Sequence, residues 1–397
     1  MAGDLIDIAT ARELVLSSAR PLGSERLPLA DALGRVLCED VSAEEDLPPF
    51  DSSAMDGYAL IAGPAAELEV VDESRAGHPA QRALAGGQAI QISTGALIPE
   101  GADAVVPLER VQVSDGRVTV PDTERGANVR HAGDDVRRGQ GVLAAGTLLG
   151  PAELAVAASL GHAELPVGVR PRVMVLATGD ELVEPGRPLG PGQIRNSNTI
   201  ALAAQARAAG ADVIGSEIVR DKLEDTTATL RAALERADVV CISGGVSVGP
   251  HDHVKPALAE LGVEERFWRV ALKPGKPTWF GTRDGKLVFG LPGNPVSAMV
   301  TFHLFARPAL RALAGARPDD TRATAILDEP LPRNSSRDEV VRCRVRAAED
   351  GWHVTPTRGD QSSHVLTSML GAEAFAIVEA GEGTIEAGER VPVELLG

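Results

Sequence analysis

Arg172-Val-Met-Val-Leu-Ala177, broken at once by Thr178-Gly-Asp-Glu-Leu182, decides the fold. A continuous apolar run that stops at a glycine turn reads as a strand buried on both faces. The segments after it alternate: a helix over 196–209, a strand over 212–219, a helix over 222–236, and a strand at Asp238-Val-Val-Cys-Ile242. Next come a helix over 254–261, strands around Val270 and Leu287-Val-Phe289, and a helix over 295–313. Such alternation builds βαβ units around a parallel, doubly wound sheet, so 169–316 is expected to be an α/β domain.

Toward the N-terminus, residues 7–20 place Ile8, Ala11, Leu14, Val15 and Ser18 on one helical face, with Asp7 able to cap. Leu47-Pro-Pro-Phe-Asp-Ser-Ser-Ala-Met-Asp-Gly-Tyr58 excludes regular helix through its prolines, and Asp56-Gly57 reads as a turn. Up to 135, short β-branched runs such as Ala89-Ile-Gln-Ile-Ser93, Ala104-Val-Val106 and Arg117-Val-Thr-Val120 alternate with Gly and Pro, a small all-β module. Gly150-Pro-Ala-Glu-Leu-Ala-Val-Ala-Ala-Ser-Leu160 is a well-signalled helix with Pro151 in its first turn. The tail returns to short strands (Glu339–Val345, Ala374–Val378, Arg390–Val393) and reads as a small β barrel or sandwich.

Composition narrows the function. The 397 residues suffice for several domains, and 3% aromatic content leaves the cores to aliphatic side chains. A net charge of −17 argues against sequence-independent nucleic-acid binding. Three scattered cysteines, Cys38, Cys241 and Cys343, fit a reducing compartment and no structural zinc. The acidic N-terminal stretch and the lack of a long apolar run predict a cytoplasmic protein without a membrane anchor.

Ligands of open α/β sheets bind beyond the carboxyl ends of the strands. Three loops stand there: Thr178-Gly179-Asp180-Glu181, Ser243-Gly244-Gly245-Val-Ser247-Val-Gly249 and Leu291-Pro292-Gly293-Asn294-Pro295. Glycines let backbone amides approach an anion, so each loop is a candidate phosphate cradle. Arg269, Lys273, Lys276 and Lys255 add a local basic cluster to an acidic chain. The acids Asp56, Asp135, Asp180, Glu181, Asp221 and Asp252 tolerate a polyanion if a hard cation such as Mg²⁺ bridges them. His251 and His253 at i, i+2 lack a third ligand and stay outside the metal set. No Ser/His/Asp elbow, Walker A or GxGxxG element is present, which disfavours standard nucleotide hydrolysis.

Together Pro49-Phe-Asp-Ser-Ser-Ala-Met-Asp-Gly-Tyr58, Ser93-Thr-Gly95, Ala177-Thr-Gly-Asp-Glu-Leu182, Ser243-Gly-Gly-Val-Ser-Val-Gly249, Lys273-Pro-Gly-Lys-Pro277 and Leu291-Pro-Gly-Asn-Pro-Val-Ser297 resemble the molybdopterin molybdenumtransferases, the bacterial counterparts of the gephyrin E domain. The resemblance implies a multidomain α/β plus β fold. Its parts are an elongated helical domain from 1–46 and 136–168, an inserted β module at 47–135, the molybdopterin-binding α/β domain at 169–316 and a C-terminal β barrel at 317–397. It further implies a homodimer whose cleft is shared between subunits. The implied reaction is Mg²⁺-dependent insertion of molybdate into adenylylated molybdopterin with release of AMP.

By position the family's functional residues fall on Asp56, Thr94, Asp135, Glu181, Asp221, Asp252, Lys273, Arg342 and Ser363, with Arg269 where members often carry Lys. The implied metal set is Glu181, Asp221 and Asp252. Upstream adenylyltransferase and downstream molybdoenzymes are the expected partners. A stand-alone adenylyltransferase or a gephyrin-like scaffold are the alternatives: the first has no use for residues 1–165, the second none for the acids.

Overall fold

The structure, a computed structural model, describes residues 5–246, 252–318 and 321–396. They form two compact units: residues up to Arg26 with 34–38 and 166 onward, and residues 27–33 with 39–165.

Helix α1 (Ile8–Ser18) starts where the Asp7 carboxylate accepts the Thr10 amide at 2.6 Å. Its stripe of Ile8, Ala11 and Val15 is buried in the core of the α/β layer. That differs from a separate helical domain over 1–46. A single 11-residue helix must bury its apolar stripe to persist, and the α/β layer supplies the surface. The rest of that segment holds short strands and one 3₁₀ turn.

In the second unit, β1 (Gly57–Leu60), β2 (Ala66–Ser74), β3 (Gln88–Ile92), β4 (Ala104–Pro107), β5 (Gln112–Ser114) and β6 (Arg117–Val120) form one sheet in the order β4-β1-β3-β2-β6-β5. Gly57 opens β1 instead of closing a turn: a Cβ there would stand 2.0 Å from the Val106 carbonyl oxygen, so only glycine lets β1 and β4 pair. Helix α2 (Pro151–Ser159) begins with Pro151, and the Glu153 carboxylate accepts the Gly150 amide at 2.9 Å.

The α/β layer runs β7 (Arg172–Thr178), α3 (Asn198–Ala208), β8 (Asp212–Val219), α4 (Leu223–Arg236), β9 (Val239–Ser243), α5 (Val254–Glu260), β10 (Glu264–Trp268), β11 (Leu272–Lys273), β12 (Trp279–Arg283) and β13 (Lys286–Leu291). The sheet order is β8-β7-β9-β13-β12-β10. Its first four strands are parallel and its last two pairings, β13–β12 and β12–β10, are antiparallel, so β12 alone runs against the rest and the sheet is not the wholly parallel one expected. The cause is local: Asp284 and Gly285 both take positive φ, and a two-residue turn can join only antiparallel neighbours. Both sheet faces are covered. Val173, Val175, Val239 and Cys241 pack with α1 and α3, while Met174, Leu176, Val240 and Ile242 pack with α4 and α5.

The helix expected over 295–313 is α6 (Pro295–Thr301), a π turn (Phe302–Ala306) and α7 (Arg307–Leu313). Pro308 lacks an N–H and its ring crowds the carbonyl four residues back, and the wider turn precedes it. The tail is a closed barrel of β14 (Arg322–Leu327), β15 (Asp338–Ala348), β16 (Gly351–Pro356), β17 (Ala374–Val378) and β18 (Arg390–Leu395). Closure runs β15-β16-β14-β18-β17 and back to β15, which resolves barrel against sandwich. Strand β11 pairs with β15, tying barrel to α/β layer. A buried network does the same: Glu394 on β18 accepts from Arg12 on α1 at 2.8 Å, from Thr321 at 2.9 Å and from Arg322 at 3.3 Å. No helix among the described residues is long and apolar enough to cross a membrane.

Candidate active site

Sheet order reverses between β7 and β9, the topological switch point where open α/β sheets bind ligands. Beyond the ends of β7, β9 and β13 lies a cavity of about 960 Å³, closed on its other side by barrel residues 337 and 361–364. One hydrogen-bonded knot shapes its floor. The Asn198 amide nitrogen donates to Ser243 Oγ at 2.8 Å and to the Gly293 carbonyl at 2.7 Å, and Ser243 Oγ donates to the Pro292 carbonyl at 3.1 Å. Gly244, at φ +91°, donates its amide to the Leu291 carbonyl at 3.0 Å. A Cβ there would lie 2.9 Å from the Thr178 carbonyl oxygen and hydroxyl, so the close approach of these loops requires glycine.

The charges lining the cavity are lopsided: Arg195, Lys273, Lys276 and Arg337 against the one carboxylate of Glu181. Lys273 pairs with Glu339 at 3.0 Å, its registered neighbour across β11 and β15. Arg195, Lys276 and Arg337 form no side-chain hydrogen bond or ion pair among the described residues. In an acidic chain this is a local reversal of field, suited to an anion.

Thr178, Glu181, Ser243, Lys273, Lys276, Pro292, Gly293, Asn294, Pro295 and Ser363, all singled out from sequence, line the cavity. Asn294 donates its amide to Ser363 Oγ at 2.8 Å, joining the last α/β loop to the barrel loop. Gly179, Asp180, Asp221, Gly244, Gly245, Asp252, Arg269 and Arg342 do not line it. Ser247 lies outside the described residues. Asp180 and Asp221 each accept the other's backbone amide at 3.3 Å, fastening the ends of β7 and β8.

Arg269 turns away from the role expected of it. At φ +77° it lays its guanidinium 4.1 Å from the centroid of the Trp268 ring, and Lys255 Nζ stands 3.2 Å from the same centroid. Burial holds Lys255 below its ordinary pKa. The Trp268 indole donates to the Val246 carbonyl at 3.0 Å, at the root of the glycine loop. Arg342 is buried one side chain behind the cavity: its amide donates to Gln361 Oε1 at 3.0 Å and its Nη2 to Ser368 Oγ at 3.1 Å. Arg342 Nε is buried with no hydrogen-bond partner among the described residues.

In the second unit the two matched motifs meet. Gly95 donates to the Ser53 carbonyl at 2.8 Å, and Asp56 Oδ1 accepts the Thr94 amide at 2.7 Å and hydroxyl at 3.0 Å. Those two donors hold the Asp56 carboxyl below its ordinary range, hence ionised. The Asp135 amide donates to the Leu47 carbonyl at 3.0 Å, bringing the third acidic turn beside the start of the first motif.

Glu181, Asp221 and Asp252 are not gathered as a metal cage: no group of three or more His, Cys, Asp or Glu among the described residues could hold an ion. Mg²⁺ keeps several waters and needs only one or two carboxylates beside substrate phosphates, a fit Glu181 in the cavity satisfies. Sequence reasoning missed Arg195, Asn198, Arg337 and Gln361. For Asn198 a signal existed: Asn196 caps α3 by accepting the Thr199 amide at 3.2 Å, which leaves the second asparagine of Asn196-Ser-Asn198 free for another task.

A doubly wound layer whose switch point opens onto a cation-lined cavity defines a binding domain for a phosphorylated or oxyanionic ligand. Comparison with known proteins is more specific. Residues 6–161 match the family model of the MoeA N-terminal region (domain I and II), 174–312 that of a probable molybdopterin binding domain, and 324–396 that of the MoeA C-terminal region (domain IV). The chain is 37% identical over 381 residues to the molybdopterin molybdenumtransferase of Haemophilus influenzae, covering 94% of each. It is 36% identical over 387 residues to that of Bacillus subtilis, covering 94% of this chain and 90% of the relative. The crystal structure of the molybdopterin biosynthesis MoeA protein of Pyrococcus horikoshii matches with a TM-score of 0.83 at 31% identity, covering 99% of this chain and 100% of that one. The chain belongs to the molybdopterin molybdenumtransferase family and is a transferase of molybdenum cofactor biosynthesis.

Proposed function

We propose that the protein takes adenylylated molybdopterin and molybdate, cleaves the pyrophosphate link and yields molybdenum cofactor and AMP. The observation that carries this reading is the cavity lining, four cations to one carboxylate at the sheet's switch point. Ser243 and the Pro292–Asn294 turn seat the phosphate, while Gly244 and Gly245 behind them let the loop pack against Thr178. Lys273 and Lys276 offset the charge of the oxyanion, and Arg342 steadies the barrel loop that carries Ser363. Glu181, the carboxylate that lines the cavity, would hold Mg²⁺, which would supply charge neutralisation at the phosphates; Asp180, Asp221 and Asp252 do not line the cavity. No side chain needs to act as a nucleophile: an oxygen of water or of molybdate forms the new bond to phosphorus as the pyrophosphate P–O bond breaks, and the charge developing on the leaving phosphate is met by fixed cations.

The same reading assigns Asp56, Thr94 and Asp135 to the cleft of a second subunit in a homodimer. It keeps the β module at 47–135 and the barrel at 317–397 as domains, with a cytoplasmic location and adenylyltransferase and molybdoenzyme partners. The test is AMP release when adenylylated molybdopterin, molybdate and Mg²⁺ are added together. AMP appears only with all three, and release without molybdate, or none at all, overturns the reading. Light scattering of the full chain tests the dimer.

A further inference from the structure

We propose that Asn198 is a positioning residue that sets the spacing of the two loops on which the ligand's anionic group rests. This rests on the reading of the cavity as the substrate site. The geometry is a closed ring of side chain and backbone. The Asn198 side chain has one NH₂ group, and both its hydrogens are used, one on Ser243 Oγ at 2.8 Å and one on the Gly293 carbonyl at 2.7 Å. Ser243 passes its own hydrogen to the Pro292 carbonyl at 3.1 Å. The ring fixes the amide's orientation without ambiguity: Ser243 Oγ is already donating to a carbonyl, so it must accept from Asn198, and the Gly293 oxygen can only accept.

The ring spans three separate stretches of chain: the first residue of α3, the last of β9 and the turn after β13. Each belongs to a different βα connection; the sheet pairs Ser243 with Leu291 and the Gly244 amide closes on the Leu291 carbonyl, and beyond that point the ring ties the Pro292–Gly293 turn to the start of α3. Gly293 and Gly244 are in ordinary van der Waals range: a Cβ on Gly293 would lie 3.8 Å from the Gly244 Cα. An anion cradle depends on where its backbone amides point, and a shift of a few tenths of an ångström in one loop misaligns them. Asn198 and Ser243 both line the cavity, while neither carries a charge that binds the anion directly.

The isosteric change Asn198→Asp keeps the shape and removes both donors, and it adds an anion where one is to bind. Asn198→Ala removes the donors alone. Steady-state kinetics on the full chain with adenylylated molybdopterin and molybdate is the assay, with the thermal midpoint measured in parallel. Asn198→Ala and Ser243→Ala each raise KM about tenfold with kcat within about twofold, because binding geometry and not the chemical step is lost. The double variant loses no more than the worse single, since either change opens the same ring. Asn198→Asp loses more than Asn198→Ala.

Unchanged KM in both alanine variants, or losses that multiply in the double variant, overturn the proposal. So does a lowered thermal midpoint with unaltered KM, the outcome of a purely structural role. If Asn198→Ala does not fold, Asn198→Asp and Ser243→Ala carry the same comparison: at least tenfold in KM for both supports the ring, and a wild-type KM in either sinks it. An inert wild-type protein is a different result, and it strikes the proposed function itself.

Discussion

Two polar clusters in the same compact unit are built on opposite rules. Around Glu394, a carboxylate 2% exposed meets Arg12, Thr321 and Arg322, and its charge is answered inside the protein. Around the cavity, Arg195, Lys276 and Arg337 are left without such answers among the described residues. The closed cluster holds α1 to the barrel, whereas the open one leaves its charge for a ligand. Loss of a group from the first should register as stability, and loss from the second as catalysis or affinity.

The sharpest break of that contrast is Glu394→Ala. Removing one partner of a buried ion network leaves charge uncompensated, so the full chain should lose about 3–5 kcal/mol in urea unfolding while any folded fraction keeps its KM. Glu181→Gln should do the reverse: unfolding midpoint unchanged, and turnover down about 100-fold or more in the AMP-release assay. Wild-type turnover by that variant would remove Glu181 from the site. Lys276→Ala is milder, with KM about tenfold higher at low salt and the gap narrowing as ionic strength rises. A KM insensitive to both changes would place Lys276 among solvated surface lysines.

A third cluster, on the barrel, falls between the two and gives the smallest effect. His353 lies between Asp350 and Asp328, each 2.8 Å away, and its pKa is raised first by the Asp350 hydrogen bond and then by Asp328. A raised histidine stabilises fully below its unfolded pKa of about 6.5, and the contribution fades as pH climbs through the higher folded value. Barrel stability should therefore slope downward above about pH 6.5, and His353→Gln should flatten that slope. An identical pH profile in the variant would show that the pair of aspartates does not favour the charged ring.

Much of this architecture is legible in the sequence because it obeys local rules. The run Arg172–Ala177, the Asp7 cap, Pro151 and the β-branched segments of the barrel each act within a few residues, and the structure places elements there. Three phosphate-type loops on one sheet edge are likewise a consequence of strand order alone. Contacts made at long range could not be read. The antiparallel edge turns on the φ angles of Asp284 and Gly285, the burial of α1 on a core assembled far downstream, and the Arg269–Trp268 stack on a positive φ. Arg337 was missed for the same cause: nothing in its neighbourhood reveals that the fold brings it to the cavity.

The Arg12–Glu394 pair also bears on how the protein is made. Its partners stand 382 residues apart, so one leaves the ribosome long before the other. At about 5–20 residues per second, roughly 20–80 s of synthesis separates them. Throughout that interval α1 has no access to its carboxylate on β18, and every strand and helix of the α/β layer leaves the ribosome before the ion pair can form. The first helix is thus fastened by a strand that does not yet exist while everything between them is being made.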